Sequence, residues 1–178
     1  MLLGSELASL GGKRNRMADF LQLWLGRHGE ADDPDTAPTD FDRKLTPFGR
    51  NQVAQMTRWL LMREEAPELI LHSPLVRARQ TAEVIAGEIS GGVVVMKESL
   101  LAPGFSTVAL LNRLKNAGVQ RVACIGHQPD IGRSLAEMTG GVHAAIPPGT
   151  LAGIEFQGAT AVDTGMLRWL ADPSWFAG

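Results

Sequence analysis

The alternation of short apolar runs with amphipathic stretches constrains this chain more than any other feature. Leu21, Leu23, Trp24 and Leu25 read as a buried strand that Gly26 ends. "ELILH" at 68–72 reads as a second buried strand, "GGVVVMK" at 91–97 as a third short strand with a glycine entry, and "VQRVACIG" at 119–126 as a fourth. Between them lie helical patterns. Thr46-Pro47 supplies a hydroxyl cap and a proline at the first helical position, opening a helix to about Arg63 with Val53, Met56 and Leu60 on one face. "SPLVRARQTAEVIAGEI" opens on another Ser-Pro start, and Leu75, Ala78, Ala82, Ile85 and Ile89 form its stripe. Residues 106–117 read as a helix closed by Gly118, and Pro129 to about Met138 as another ending at Gly140-Gly141. Strand-like pieces near 151–157 and 165–170 follow. Strands alternating with helices predict an α/β fold of three layers, a mostly parallel central sheet flanked by helices.

At 178 residues the chain is long enough for one domain with a substantial core. The expected organisation is an N-terminal extension over 1–19, mobile and with Met17 as a candidate start, then a single domain over 20–178. A net charge of −2 offers no basic footprint for nucleic acid or an anionic membrane. No apolar run reaches the roughly 18 residues that span a bilayer. One cysteine, Cys124, excludes an internal disulfide and fits a reducing compartment. The expected location is cytoplasmic.

The residues that carry chemistry stand just past the ends of predicted strands. Arg27 and His28 follow the first, Arg77 lies in the first turn after the second, and His127 follows "VACIG". Open α/β sheets bind ligands outside the carboxyl ends of their strands, so two arginines and two histidines should share one rim. Two guanidinium forks match phosphate oxygens. The helix after Ser73-Pro74 would add backbone N–H groups near the same place. His28 can then act as a nucleophile that carries the phosphoryl group, and His127 can stabilise charge on the transferring oxygens. With reference histidine values near ~6.5, activity should fall on the acid side of about pH 6.

Other phosphate chemistries fit the letters less well. A cysteine phosphatase needs an arginine six residues after its nucleophile, where Cys124 has Asp130. Asp33-Pro34-Asp35 and Asp40-Phe41-Asp42 lie in a proline-bearing loop with no strand before them. The Gly-x4-Gly-Lys-Ser/Thr phosphate loop is absent, and the four histidines lack paired zinc-ligand spacing, so neither metal nor cofactor is expected.

"LWLGRHGEA", "KLTPFGRNQ", "SPLVRARQTAEVI" and "VACIGHQPDIG" resemble the histidine phosphatase (phosphoglycerate mutase-like) superfamily, over residues 21 to about 132. The short chain and the Arg-x-Leu-Thr-x-x-Gly segment from Arg43 to Gly49 are similar to its SixA-type phosphohistidine phosphatase branch. The resemblance implies a phosphorylated nucleophile at His28, a phosphate clamp at Arg27 and Arg77, and a second pocket histidine at His127. Arg43 is either a substrate-phosphate contact or a solvated loop charge. Glu30 would hold Arg27 or a loop backbone, Arg79 would face solvent, and His72 and His143 would be structural. Glu98 is a weak candidate for a leaving-group acid, because its surroundings do not match the mutase-type glutamate motif. An imidazole leaving from phosphohistidine can depart protonated and needs less help than an alkoxide.

The expected activity is therefore removal of phosphate from phosphohistidine on a protein through a phosphohistidine intermediate. Two alternatives stay open: a phosphatase or mutase acting on a small phosphate ester, and a phosphate-binding module without turnover. The corresponding partners are a phosphorylated protein or a small phosphorylated substrate, with no nucleic acid and no membrane.

Overall fold

A computed structural model describes residues 20–176; the extension assigned to 1–19 lies outside the described residues. Six strands form one sheet: β1 (Phe20–Arg27), β2 (Leu69–His72), β3 (Val94–Lys97), β4 (Arg121–Gly126), β5 (Leu151–Gln157) and β6 (Gly165–Ala171). Their order is β3-β2-β4-β1-β5-β6. The first four positions are parallel, and β5 and β6 join antiparallel at the β1 side. Four helices, α1 (Pro47–Leu61), α2 (Val76–Glu88), α3 (Thr107–Lys115) and α4 (Asp130–Thr139), cover the sheet.

The side-chain alternation of the strands builds the two interfaces. Leu21, Leu23 and Leu25 of β1, with Val122 and Cys124 of β4, face a core shared with Leu110, Leu111 and Leu114 of α3 and Ile131, Leu135 and Met138 of α4. Trp24, Ile70, Ala123 and Ile125 face the opposite core, closed by Val53, Met56 and Leu60 of α1 and Ala78, Ala82 and Ile85 of α2. Three layers result, as the strand-helix alternation requires. Burial pushes the Cys124 thiol pKa upward, with the Glu98 carboxylate adding to it, so this thiol is an inert core group.

Three local features refine or correct the sequence reading. The first strand runs on through Gly26 to Arg27, because Arg27 pairs in register with Gly126 of β4. The third short strand is present as β3, a sheet edge with Val94 and Met96 exposed; a run of valines says nothing about whether a strand has a second neighbour. Most consequential, Ser73-Pro74 does not start the second helix. α2 begins at Val76 with Leu75 as its uncapped N-cap residue, and Ser73 is used elsewhere.

The α1 start is as read. Thr46 Oγ1 accepts from the Gly49 N–H at 2.9 Å and donates to Glu30 Oε1 at 3.0 Å. A β-carbon on Gly49 would stand 2.3 Å from the Glu30 carbonyl oxygen, which explains why the first turn of α1 carries glycine where it crosses the chain after His28. Thr46→Ala should cost about 1 kcal/mol of stability, read as a lower urea midpoint at unchanged slope.

Candidate active site

The parallel register brings the ends of β1, β2 and β4 side by side. His28 N–H donates to the Gly126 carbonyl at 3.1 Å, and Ser73 N–H to the Ile125 carbonyl at 2.9 Å, so each segment leaves the sheet beside the next. Arg27, His28, Ser73 and His127 therefore converge although their sequence positions are far apart. Arg77 reaches the same place from the first turn of α2. The motif around it has a helical reason: Thr81, one turn on, accepts from the Gly29 N–H at 3.0 Å and donates to the Arg77 carbonyl at 2.7 Å. Helix α2 thus grips the residue next to His28 while aiming Arg77 at it.

His28, Arg77 and His127 are all buried. His28 Nδ1 lies 2.7 Å from the Gly29 carbonyl oxygen, an acceptor only, so Nδ1 carries the proton. His28 Nε2 then holds a free lone pair, and it accepts from Arg77 Nε–H at 3.1 Å. The Arg77 fork continues to Asp40, with Nη1 donating to the Asp40 carbonyl at 2.6 Å and Nη2 to its carboxylate at 3.0 Å. Arg27 donates from Nη1 to the Ile146 carbonyl at 2.9 Å, while its buried Nε has no protein partner. The His28 and His127 rings lie 5.1 Å apart, centroid to centroid, tilted by 53°. His127 Nε2 is 2.7 Å from Ser73 Oγ, and its buried Nδ1 has no partner.

The surroundings keep both imidazoles neutral. Burial lowers the His28 pKa to about 3, and the neighbouring His127, Arg77 and Arg27 push the same way against the Gly29 hydrogen bond. Burial, then Arg77, lowers His127 to about 4, partly opposed by Asp40 and Asp130. Folded-state values below the ordinary ~6.5 mean that the unfolded chain binds more protons between those limits. Stability should fall as pH drops from about 6.5 towards 4, and these groups should not affect it above that window. Urea midpoints for wild type and His28→Gln at pH 7 and 4.5 should show the variant losing less. The acid limb of kcat/KM belongs below about pH 5, not near pH 6 as unperturbed histidines would give. An acid limb near pH 6 would mean that the imidazoles are far more solvated than this site makes them.

The remaining candidates have other partners. Arg43 donates to the Asp32 carbonyl at 2.7 Å and to the Asp40 carboxylate at 3.0 Å, so it reaches Arg77 only through Asp40. Glu30 takes the Thr46 hydroxyl, Arg79 pairs with Glu83 on the surface, and His143 is exposed. His72 Nδ1 is satisfied by the Ser73 carbonyl. Glu98 pairs with Arg113 at 2.9 Å and caps the Leu100 N–H. Among the described residues, no group of three or more His, Cys, Asp or Glu side chains could hold a metal ion, and no helix is long and apolar enough to cross a membrane.

Two residues of the site escaped sequence reasoning. In the sequence Asp40 reads only as part of an aspartyl phosphatase motif; its spacing three residues before Arg43 is the available signal. Contact with Arg43, then Arg77, holds its carboxyl below the usual range. Ser73 reads there only as a helix start, although it follows β2 as His28 follows β1.

Comparison with known proteins gives the family. The model of the histidine phosphatase superfamily (branch 1) matches residues 23–101, a span that holds Arg27, His28, Arg43 and Arg77. Phosphohistidine phosphatase SixA of Escherichia coli (strain K12) is 32% identical over 124 residues, covering 68% of this chain and 76% of the relative. An uncharacterized protein of Picosynechococcus sp. is 37% identical over 117 residues, covering 63% of this chain and 69% of the relative. The solved structure of the protein histidine phosphatase SixA complexed with tungstate superposes with a TM-score of 0.76 at 27% identity, covering 88% of this chain and 99% of that one. The chain belongs to the histidine phosphatase superfamily, as a phosphatase with SixA-like sequence and fold.

Proposed function

We propose that this protein removes phosphate from phosphohistidine on a protein, through a phosphohistidine intermediate on its own His28. The observation that carries this reading is the state of His28: Nδ1–H tied to the Gly29 carbonyl, and the Nε2 lone pair held against Arg77. A neutral imidazole with one fixed lone pair is what in-line attack on phosphorus needs. The similarity to a solved phosphatase complexed with tungstate, a tetrahedral oxyanion like phosphate, supports the same reading.

In the first step Nε2 forms a bond to phosphorus as the bond to the leaving nitrogen breaks. That nitrogen departs with the electron pair on an imidazole already able to carry its proton. Arg77 and Arg27 hold the equatorial oxygens, where charge accumulates. Arg77 gives up its contacts to Asp40 and to Nε2 as it does so. In the second step water attacks phosphorus, the N–P bond breaks, and the lone pair returns to Nε2 with release of inorganic phosphate.

The choice of an N–P bond follows from the acid. Glu98, the carboxylate singled out from sequence, is committed to Arg113 and Leu100. An alkoxide leaving group would need a free carboxylic acid in its place. Steady-state assays should show a phosphohistidine protein turned over with kcat/KM at least about 100-fold above sugar phosphates or phosphoglycerates, a gap of ~2.7 kcal/mol. Glu98→Gln should change phosphohistidine turnover by less than about threefold. Faster turnover of a small ester, abolished by Glu98→Gln, would replace this reading with an ester phosphatase whose acid is Glu98.

A further inference from the structure

Ser73 is fully buried and makes a closed set of contacts at the end of β2. Its Oγ accepts from the Leu75 N–H at 3.3 Å and lies 2.7 Å from His127 Nε2. Either Ser73 donates to an unprotonated Nε2, or a protonated Nε2 donates to Ser73. The second arrangement would leave Oγ accepting twice, its own buried proton with no acceptor among its contacts. Nδ1 lacks a protein partner in either arrangement, and the second adds an unsatisfied buried hydroxyl proton at a cost on the order of 1–3 kcal/mol, so the first wins. The proton of the neutral His127 ring must then sit on Nδ1, the buried nitrogen with no protein partner.

We propose that Ser73 is a positioning residue that locks His127 as its Nδ1–H tautomer, presenting that N–H as a donor to an oxygen of the transferring phosphoryl group. The inference rests on the phosphatase reading above for what receives the proton, but not for which nitrogen carries it. The two imidazoles thereby take complementary roles, one from a backbone carbonyl and the other from a side-chain hydroxyl. Gly29 leaves His28 a free lone pair at Nε2, and Ser73 leaves His127 a free donor at Nδ1. An Nε2–H tautomer would present a lone pair to an anionic oxygen instead, turning attraction into repulsion.

The test reads the tautomer directly. In protein labelled with 15N in histidine, at pH 7 and without substrate, His127 should show a protonated-type Nδ1 and an unprotonated-type Nε2. Ser73→Ala should move the ring towards the Nε2–H form or an even mixture. With a phosphohistidine protein as substrate, Ser73→Ala should lower kcat about 10- to 100-fold with KM changed less than about threefold. The same substitution in a His127→Ala background should add less than about twofold, since the residue it positions is already gone. An Nε2–H tautomer in the wild type would overturn the proposal outright. A Ser73→Ala loss that is equally large in the His127→Ala background would also overturn it, by showing a role in the fold alone. A wild type inactive on every phosphorylated substrate would defeat the functional reading while leaving the tautomer assignment to be judged by its spectrum.

Discussion

His28→Ala should lower kcat for the best substrate by about 10⁴-fold or more, because removing a nucleophile removes the route rather than one contact along it. The fold should survive. His28 lies at a strand end, and its backbone bonds to Gly126 and Gly149, which do not involve the side chain, keep the segment in place. Losing a buried neutral imidazole also removes a group that disfavours folding in acid, so the variant should hold its stability better than wild type below pH 6. Unchanged far-ultraviolet circular dichroism with activity at the uncatalysed level is the expected pair of observations. An active His28→Ala protein would require another nucleophile, and Cys124, sealed in the core, is not available for that role.

Arg77→Ala should lower kcat/KM by about 10³-fold or more, since in the proposed mechanism its fork faces charge that grows in the transition state. Arg77 Nε also holds Nε2 of His28, and both Nη atoms hold Asp40. Removing the side chain therefore loosens the nucleophile and the 40–42 segment together, and the loss should appear in both kcat and KM. Arg77→Lys should recover less than about tenfold. An ammonium can keep the charge but cannot reach His28, Asp40 and a phosphoryl oxygen with three nitrogens fixed in one plane. Near-complete rescue by lysine would mean that Arg77 contributes net charge and that its geometry is incidental.

What was legible in the sequence was local or periodic. Thr46-Pro47 could be read as a helix start because a cap is settled within four residues, by a hydroxyl and the N–H of Gly49. The two helical faces and the strand alternation carried the layer architecture for the same reason. The placement of Arg27, His28, Arg77 and His127 followed from one further rule, that parallel strands present their carboxyl ends together. Ser73 and Asp40 were not legible, because their partners lie far away in sequence. A serine before proline has the same letters whether its hydroxyl caps the next helix or bonds His127 across the sheet. An aspartate in a Pro- and Asp-rich loop looks solvated until the fold brings Arg77 against it. The edge position of β3 and the antiparallel addition of β5 and β6 depend on neighbours that no single segment encodes.

The 40–42 segment bears on substrate size. The 40–42 segment that touches Arg77 is short, and Phe41 at its tip is exposed beside the site. A short exposed segment of this kind does not by itself select a protein surface over a small molecule. The preference for a protein-borne phosphohistidine therefore rests mainly on the engaged state of Glu98, which the substrate comparison probes.

The most direct test of a histidine nucleophile is to catch the phosphoryl group in transit. Rapid mixing with a 32P-labelled phosphohistidine protein, followed by quenching in alkali and peptide mapping, should place label on the peptide that contains His28. The adduct should be stable in base and lost in mild acid, and it should form in wild type but not in His28→Ala. Label on a serine, aspartate or cysteine, or base-stable label that persists in His28→Ala, would contradict the account.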